Sequence, residues 1–171
     1  MKKLVFIIAS VLVIGFTNQT NAQNKDIVDI AVSVDDFSTL VTALKTADLV
    51  GALKGEGPFT VFAPTNAAFG KIDSKTLGSL LEPAGREALT SILTYHVISG
   101  KIAASDVVAA LEKGNGKVEL KTLNGAPIQV MSKDGKIYLK DQYGNYSQIV
   151  KTDVMGSNGV IHIIDTVVMP K

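Results

Sequence analysis

The chain contains no cysteine and no tryptophan, and its charges nearly cancel: 17 Lys+Arg and 16 Asp+Glu give a formal charge of +1 over 171 residues. Without cysteine there is no disulfide, no thiolate metal site, no cysteine nucleophile and no lipid-modified cysteine. A near-neutral charge also argues against a nucleic-acid binder or a polybasic membrane-surface protein, because both need clustered positive charge. The length favours one domain.

Long hydrophobic runs are scarce too, and the one that exists stands at the N-terminus. Two lysines precede the uncharged run Leu4–Phe16, and Thr20-Asn21-Ala22 follows with the small-x-small pattern of a cleavage site. We therefore predict a secretory signal peptide over residues 1–22, with an uncleaved N-terminal anchor as the alternative. The run is shorter than the roughly 20 residues that span a bilayer. We expect a secreted protein, extracellular or periplasmic, without stable membrane insertion of the mature chain.

The predicted mature chain, residues 23–171, loses two lysines and no acidic residue, so its formal charge becomes −1. A chain of this size buries roughly 68–70% of the surface that its unfolded form exposes. It therefore needs no disulfide to be stable, and an exported protein without cysteine must depend on its hydrophobic core.

The mature chain has two halves with different hydrophobic periods. Over residues 26–111 the apolar residues recur at helical spacing, interrupted by one short strand, Phe59–Ala63. From Val118 the period changes to two, and Asn124-Gly125 and Asp134-Gly135 are typical hairpin turns. Helices followed by hairpin-linked strands predict one α+β domain, residues 23–171, with an antiparallel or mixed sheet.

Short polar residues mark two of the expected corners. Thr65 or Asn66 can cap a new helix after the strand with a side-chain oxygen. The pair Asn158-Gly159 predicts a turn with positive φ in front of the last strand.

Candidate catalytic chemistry is sparse. Of the two histidines, His162 stands three residues before Asp165, a spacing that suggests an acid/base or metal pair. Residues three apart on a strand face opposite sides of the sheet, however, so the pair could meet only across a bulge or turn. No nucleophile elbow, phosphate loop or metal motif is present. We expect no catalytic residue, no metal and no cofactor, and we keep a hydrolase using this pair as a minor hypothesis.

Three blocks of sequence resemble the fasciclin (FAS1) domain family. Gly57–Phe69 resembles the first signature of the family, Leu93–Ile98 with the following Gly100 resembles its Tyr-His segment, and Asn158–Asp165 resembles the second signature. The resemblance covers about residues 26–170 and is typical of the small single-domain secreted bacterial members. We expect the signature residues to be structural: Phe59, Thr60, Phe62, Pro64, Thr65, Asn66, Phe69, Asn158, Gly159, His162 and Asp165.

The resemblance implies an α+β fold with a wedge of two β-sheets and helices packed along one side. It also implies a non-enzymatic adhesion or interaction module that binds extracellular matrix, a cell-surface protein or a polysaccharide. In animal members, integrin-type binding is assigned to the Tyr-His segment and to an Asp-Ile pair before the second signature. The matching positions, which are our candidate partner-binding residues, are Tyr95, His96, Val97 and Ile98, and Asp153 with Val154, where valine replaces the usual isoleucine.

A second function hypothesis is a carrier of a small apolar ligand such as a pigment or lipid. Some fasciclin-like proteins resemble pigment carriers, and a helix–sheet wedge could open an apolar groove.

Overall fold

The computed structural model describes residues 25–171, so the predicted signal peptide lies outside the described residues. The helices are α1 Ile27–Val32, α2 Ser38–Thr46, α3 Val50–Leu53, α4 Asn66–Phe69, α5 Ser74–Leu81, α6 Arg86–Tyr95 and α7 Ala104–Lys113. The strands are β1 Phe59–Pro64, β2 Val97–Ser99, β3 Lys117–Lys121, β4 Pro127–Lys133, β5 Lys136–Lys140, β6 Tyr146–Gly156 and β7 Gly159–Ile164.

The strands follow one another in the order β2-β1-β7-β6-β5-β4-β3. They form two sheets that share β6, whose first residues pair with β5 and whose remaining length pairs with β7. Two register shifts in β6, on either side of Lys151, mark bulges within its pairing with β7. The β1–β7 pair is parallel and the other pairs are antiparallel. The α+β fold predicted from the sequence is confirmed.

The hydrophobic core has two parts, which lie on opposite faces of β1. Val61 and Ala63 face the cluster formed with helices α1, α2, α4 and α6, whereas Phe62 faces the cluster formed with α7 and strands β3–β5. This alternation is the period of two that a strand imposes on its side chains. Both faces of β1 are therefore buried, which explains its nearly continuous apolar sequence.

The corner between β1 and α4 uses both polar residues that the sequence singles out. Thr65 is the N-cap of α4, and its Oγ1 accepts a hydrogen bond from the Ala68 N–H at 3.2 Å. Asn66 makes hydrogen bonds to a different helix. Its Oδ1 accepts from the Thr39 N–H at 2.9 Å, and its Nδ2 donates to Ser38 Oγ at 2.9 Å. Asn66 therefore ties the start of α4 to the start of α2.

The prediction of a positive-φ turn at Asn158-Gly159 is wrong. Among the described residues the positive-φ glycines include Gly57 but not Gly159, and Asn158 is not among the positive-φ residues. Gly159 lies opposite Phe59 in the parallel pair, and a Cβ at Gly159 would overlap the Phe59 carbonyl oxygen. Glycine is needed here because two backbones approach closely, not because the turn requires a left-handed conformation.

Candidate functional site

The predicted Tyr-His site lies inside the protein. Tyr95 is the last residue of α6, and Val97 and Ile98 belong to β2. The exposed fractions, in chain order, are 0% for Tyr95, 2% for His96, 3% for Val97 and 4% for Ile98. The Tyr95 hydroxyl donates a hydrogen bond to the Pro127 carbonyl oxygen at 3.0 Å. Burial, together with the negative charge of Asp141, raises the pKa of Tyr95 to about 12. This tyrosine is therefore a neutral donor within the core.

His96 is held at both ring nitrogens by backbone groups. Nδ1 donates to the Ile92 carbonyl oxygen at 2.8 Å, and Nε2 accepts from the Val168 N–H at 3.2 Å. These partners assign the Nδ1–H tautomer. Burial lowers the pKa of His96 to about 4, against the opposing effect of its hydrogen bond to the Ile92 carbonyl. The ring is therefore neutral at pH 7 and links α6 to the chain after β7.

The burial of this segment bears directly on its candidate role. A partner that docks on the folded domain touches exposed atoms, and the side chains of Tyr95, His96, Val97 and Ile98 are buried in the core. Partner binding by these four residues stays a prediction, and it would require the domain to open. The role that the folded structure gives them is to hold α6 and β2 in place.

The second predicted pair is half-buried and also has an internal role. Asp153 lies at the bulge of β6 with φ +57°, and its Oδ1 accepts a hydrogen bond from the Ala104 N–H at 2.9 Å. Ala104 is the first residue of α7, whose own N-cap position, Ala103, has no side-chain acceptor. Asp153 thus caps α7 from another strand, and Val154 packs against the helical part of the core.

We expect substitutions of Asp153 to separate its cap from its backbone conformation. Asp153→Asn keeps an acceptor and tolerates positive φ, so the free energy of unfolding should fall by only about 0.5 kcal/mol as the helix loses a favourable negative charge. Asp153→Ala loses the acceptor and places alanine at positive φ, so it should cost about 2 kcal/mol. Urea denaturation measures both variants. Equal losses for alanine and asparagine would contradict the capping role.

His162 and Asp165 have separate partners, so they form no catalytic pair by direct contact. The Nε2 of His162 donates to the Ile102 carbonyl oxygen at 2.8 Å. Asp165 accepts from the Gln148 N–H at 2.9 Å and lies 3.5 Å from Lys71 Nζ. Although partial burial opposes it, these hydrogen bonds and the nearby lysine keep the pKa of Asp165 below its usual value.

Two signature residues, Thr60 and His162, converge on one segment, residues 100–103, between β2 and α7. Thr60 Oγ1 donates to the Gly100 carbonyl oxygen at 2.7 Å and accepts from the Ile102 N–H at 2.9 Å. His162 reaches the Ile102 carbonyl oxygen, and its Nδ1 accepts from the Asp153 N–H at 3.4 Å. The polar side chains of Thr60 and His162 thus fix a connection between core elements.

Within residues 25–171 no group of three or more His, Asp or Glu side chains is arranged to hold a metal ion. In the same part of the chain, no buried side-chain nitrogen or oxygen lacks a hydrogen-bond partner.

The exposed side of strands β3–β6 has a different character. Strand registers place twelve side chains on one surface, because residues directly opposite each other in paired strands share a face. We call this surface the outer face: Lys117, Glu119, Lys121, Pro127, Gln129, Met131, Lys133, Lys136, Tyr138, Lys140, Tyr146 and Gln148. The intervening residues, such as Ile128 and Val130, are buried in the core.

Two rows of side chains cross the middle of the outer face. One row runs Glu119, Gln129, Lys140, Tyr146 and the next runs Lys117, Met131, Tyr138, Gln148. The Tyr146 ring is 53% exposed, and Lys140 Nζ lies 5.7 Å from its centroid. A shallow cleft of about 350 Å³ opens beside the first row, with Tyr143 at its edge, and one of about 370 Å³ beside the second. The face thus combines aromatic rings, amides and ammonium groups around two depressions, whose lining also includes Glu119, Asp141 and Asp134.

The outer face is also strongly cationic. It carries five lysines and one glutamate, whereas residues 25–171 as a whole carry a formal charge of −1. The four ion pairs found in the described residues involve Lys54, Lys71 and Arg86, all of them elsewhere. The five lysines of the outer face are therefore not neutralised by a carboxylate within 4.0 Å in this part of the chain.

The sequence predicted the strands that carry the outer face but not its role. The period of two from Val118 shows which residues alternate, and on one phase all of them except Pro127 and Met131 are Lys, Glu, Gln or Tyr. A count of charges restricted to the alternate residues on one side of these strands predicts a cationic face, although the chain as a whole is nearly neutral. Whole-chain charge conceals it because acidic residues elsewhere compensate.

Together the mixed sheet, the helical layer and the polar groups bonded within the interior define a small α+β domain. A model of the fasciclin domain family matches residues 35–170, and the chain belongs to this family. The resemblance stated from the three sequence blocks is thereby confirmed.

Known proteins similar to this chain share the family and the fold. Protein sll1483 of Synechocystis sp. is 46% identical over 144 residues, which cover 84% of this chain and 73% of that protein. The cell surface glycolipoprotein MPB83 of Mycobacterium bovis is 36% identical over 139 residues, 78% of this chain and 56% of that protein. A solved pair of FAS1 domains from the insect cell adhesion molecule Fasciclin I matches with a TM-score of 0.73 at 21% identity, covering 83% of this chain and 50% of that one.

Across residues 25–171, none of the helices combines the length and apolar character that crossing a membrane requires.

Proposed function

We propose that the mature chain is a non-enzymatic, exported interaction module that attaches to extracellular matrix, a cell-surface protein or a polysaccharide through its outer face. The observation that carries this proposal is the contrast between the two candidate surfaces. The side chains of the Tyr-His segment are buried, whereas the outer face is exposed, cationic and aromatic, and its lysines have no carboxylate partner in the described residues.

Two further observations support an interaction role. One relative is named as a cell surface protein and the matched fold belongs to a cell adhesion molecule, which agrees with export by the predicted signal peptide. The two histidines, His96 of the Tyr-His segment and His162 of the second signature, have both ring nitrogens bonded to backbone groups, so neither ring is free to transfer a proton to a substrate. This favours binding over catalysis.

The proposal predicts that residues 23–171 adhere to at least one of three immobilised targets: whole cells, matrix proteins or cell-wall polysaccharide. The variant Tyr138→Ala/Tyr146→Ala should lose about tenfold in affinity, because the half-buried Tyr138 and the exposed Tyr146 supply large aromatic contact area at an interface. Val32→Ala/Val34→Ala, which trims two exposed apolar residues at the end of α1, is the matched control and should bind like wild type. Surface plasmon resonance measures all three proteins. Absence of binding above heat-denatured protein on every target would refute the proposal.

A carrier of a small apolar ligand is the second candidate. A groove of about 350 Å³ between α7 and the β4–β5 hairpin is lined in part by Val108, Leu111 and Ile137, and is the place where such a ligand would enter. Native mass spectrometry of protein from its own host distinguishes the two functions, because a carrier would retain a ligand of defined mass.

A further inference from the structure

We propose that the outer face binds an anionic polysaccharide, that is, a sugar polymer bearing carboxylate or sulfate groups. This inference rests on the proposed function and specifies its partner. It follows from three features of the outer face: its uncompensated lysines, its tyrosines beside amide side chains, and the regular spacing of its rows.

The lysines select the charge of the partner. Five ammonium groups on one face of a sheet repel one another unless counter-ions or a polyanion neutralise them, and no carboxylate of the described residues lies within 4.0 Å of them. Lys133 and Lys136 lie directly opposite each other across β4 and β5, where like charges destabilise a sheet. A bound polyanion would remove this repulsion along the whole face.

The neutral side chains favour an anionic polysaccharide over other polyanions. Tyr138 stands between Met131 and Gln148 in its row, so an aromatic ring has an amide directly beside it. The apolar C–H face of a sugar ring packs on an aromatic ring, and an amide offers both a donor and an acceptor to the hydroxyl groups at the sugar's edge. Gln129 and Tyr146 repeat the combination in the neighbouring row, on either side of Lys140.

The spacing of the rows suits a polymer. Residues on one face of a strand repeat every two positions, about 6.8 Å apart. The two clefts of about 350 and 370 Å³ lie beside successive rows and are both open to solvent at the same face. An extended chain of sugars can therefore place successive units along the strands, with a lysine near each one.

A protein partner fits these observations less well. Lysine is depleted in the cores of protein–protein interfaces, and such cores are largely apolar. On the outer face, lysine is the most frequent residue, and the apolar residues are limited to Pro127 and Met131. The face therefore resembles a surface for a hydrated polyanion more than one half of a dry protein interface.

The test uses residues 23–171 and four probes: alginate, which is a polyuronate; dextran sulfate; neutral dextran; and single-stranded DNA. Affinity electrophoresis at two salt concentrations measures each one. The charge variant is Lys136→Glu/Lys140→Glu, and its matched control is Lys45→Glu/Lys75→Glu, two exposed lysines of α2 and α5 that make no ion pair in the described residues. Tyr138→Ala and Tyr138→Phe test the ring without changing the charge.

We expect binding to alginate and dextran sulfate, none to neutral dextran, and weaker binding at higher salt. The charge variant should lose at least about tenfold in affinity, whereas its control, with the same net charge, should lose less than about twofold. Tyr138→Ala should bind the anionic polysaccharides more weakly than wild type, whereas Tyr138→Phe, which keeps the ring, should bind them like wild type. Circular dichroism confirms that the variants fold.

Three outcomes would overturn the inference. Equal losses of affinity in the two double-lysine variants would show that binding depends on the net charge of the protein and not on the outer face. Single-stranded DNA bound as tightly as alginate, with the same dependence on Tyr138, would identify a nucleic-acid surface. Binding to cells or matrix proteins with no binding to either anionic polysaccharide would refute this inference and leave the proposed function standing, whereas no binding to any target would refute both.

Discussion

Asn158→Asp is expected to lower the free energy of unfolding more than Asp153→Ala or Asn158→Ala. The Asn158 amide holds three backbone groups from two distant parts of the chain. Oδ1 accepts from the Ile27 N–H at 3.0 Å, and Nδ2 donates to the carbonyl oxygens of Leu53 at 2.8 Å and Gly55 at 2.9 Å. It thereby joins the β6–β7 hairpin to α1 and to the end of α3.

The substitution turns two attractive contacts into repulsive ones. Aspartate has no N–H, so a carboxylate oxygen would face the carbonyl oxygens of Leu53 and Gly55. Asn158→Ala removes three hydrogen bonds worth about 1 kcal/mol each, so the free energy of unfolding should fall by about 3 kcal/mol. The added repulsion should make the fall larger in Asn158→Asp. For a chain of this length, we expect the melting temperature to fall by roughly 10 °C in Asn158→Ala and further in Asn158→Asp.

Differential scanning calorimetry measures these changes. Asn115→Asp makes the same chemical exchange and adds the same charge in an exposed turn after α7, at φ +52°, where aspartate is tolerated. This control should melt close to wild type. If Asn158→Asp melts as Asn115→Asp does, the amide does not hold the hairpin to the helices.

Local chemistry explains which parts of the fold the sequence predicted. The Asp134-Gly135 turn was predictable because both residues adopt positive φ, +52° and +73°, in the two-residue loop between β4 and β5. Thr65 was predictable as a cap because its partner, the Ala68 N–H, lies three residues away. Interactions within one turn of chain leave a signature in the sequence.

Long-range contacts leave no such signature. The partners of Asn158 are 131 and 105 residues away in the chain, and the close approach that demands Gly159 comes from Phe59 in a parallel strand. The sequence therefore marked Asn158-Gly159 as a turn, which is the local interpretation of that pair. The requirement in the structure comes from the packing of β1 against β7, which no local pattern reveals.

The candidate site illustrates the same distinction. Tyrosine and histidine are amphipathic, so their types alone do not decide between a surface and a core position. Tyr95 and His96 are buried because the carbonyl oxygens of Pro127 and Ile92 and the N–H of Val168 satisfy their polar atoms. Those partners come from α6, from β4 and from the chain after β7, which only the folded structure brings together.

The buried His96 is expected to make the domain lose stability between pH 6.5 and pH 4. In the folded state, burial lowers the pKa of His96 to about 4, whereas the unfolded chain has the ordinary value near 6.5. Between these values the unfolded state binds a proton that the folded state does not, so acid favours unfolding. The contribution of His96 to the free energy of unfolding should be constant above pH 6.5, fall by about 3 kcal/mol by pH 4, and change no further below that.

Asp165 acts in a different pH window. The pKa of Asp165 lies below its usual value because the hydrogen bonds from Gln148 and Thr166 and the charge of Lys71 outweigh partial burial, so its contribution is present above about pH 4 and is lost below it. A loss of stability already under way at pH 5.5 therefore belongs to His96. Urea denaturation at half-unit pH steps separates the two regions.

His96→Gln is the control that isolates the imidazole. Glutamine can accept from the Val168 N–H and donate to the Ile92 carbonyl oxygen, the two groups that His96 bonds, but it does not titrate. Its unfolding free energy should stay flat between pH 6.5 and pH 4.5, whatever its absolute stability. A proton NMR titration of wild type supplies a second measurement that needs no variant. An imidazole at His96 that titrates near 6.5 in the folded protein would contradict the prediction, because a buried ring bonded at both nitrogens cannot take up a proton without breaking its bond to the Val168 N–H.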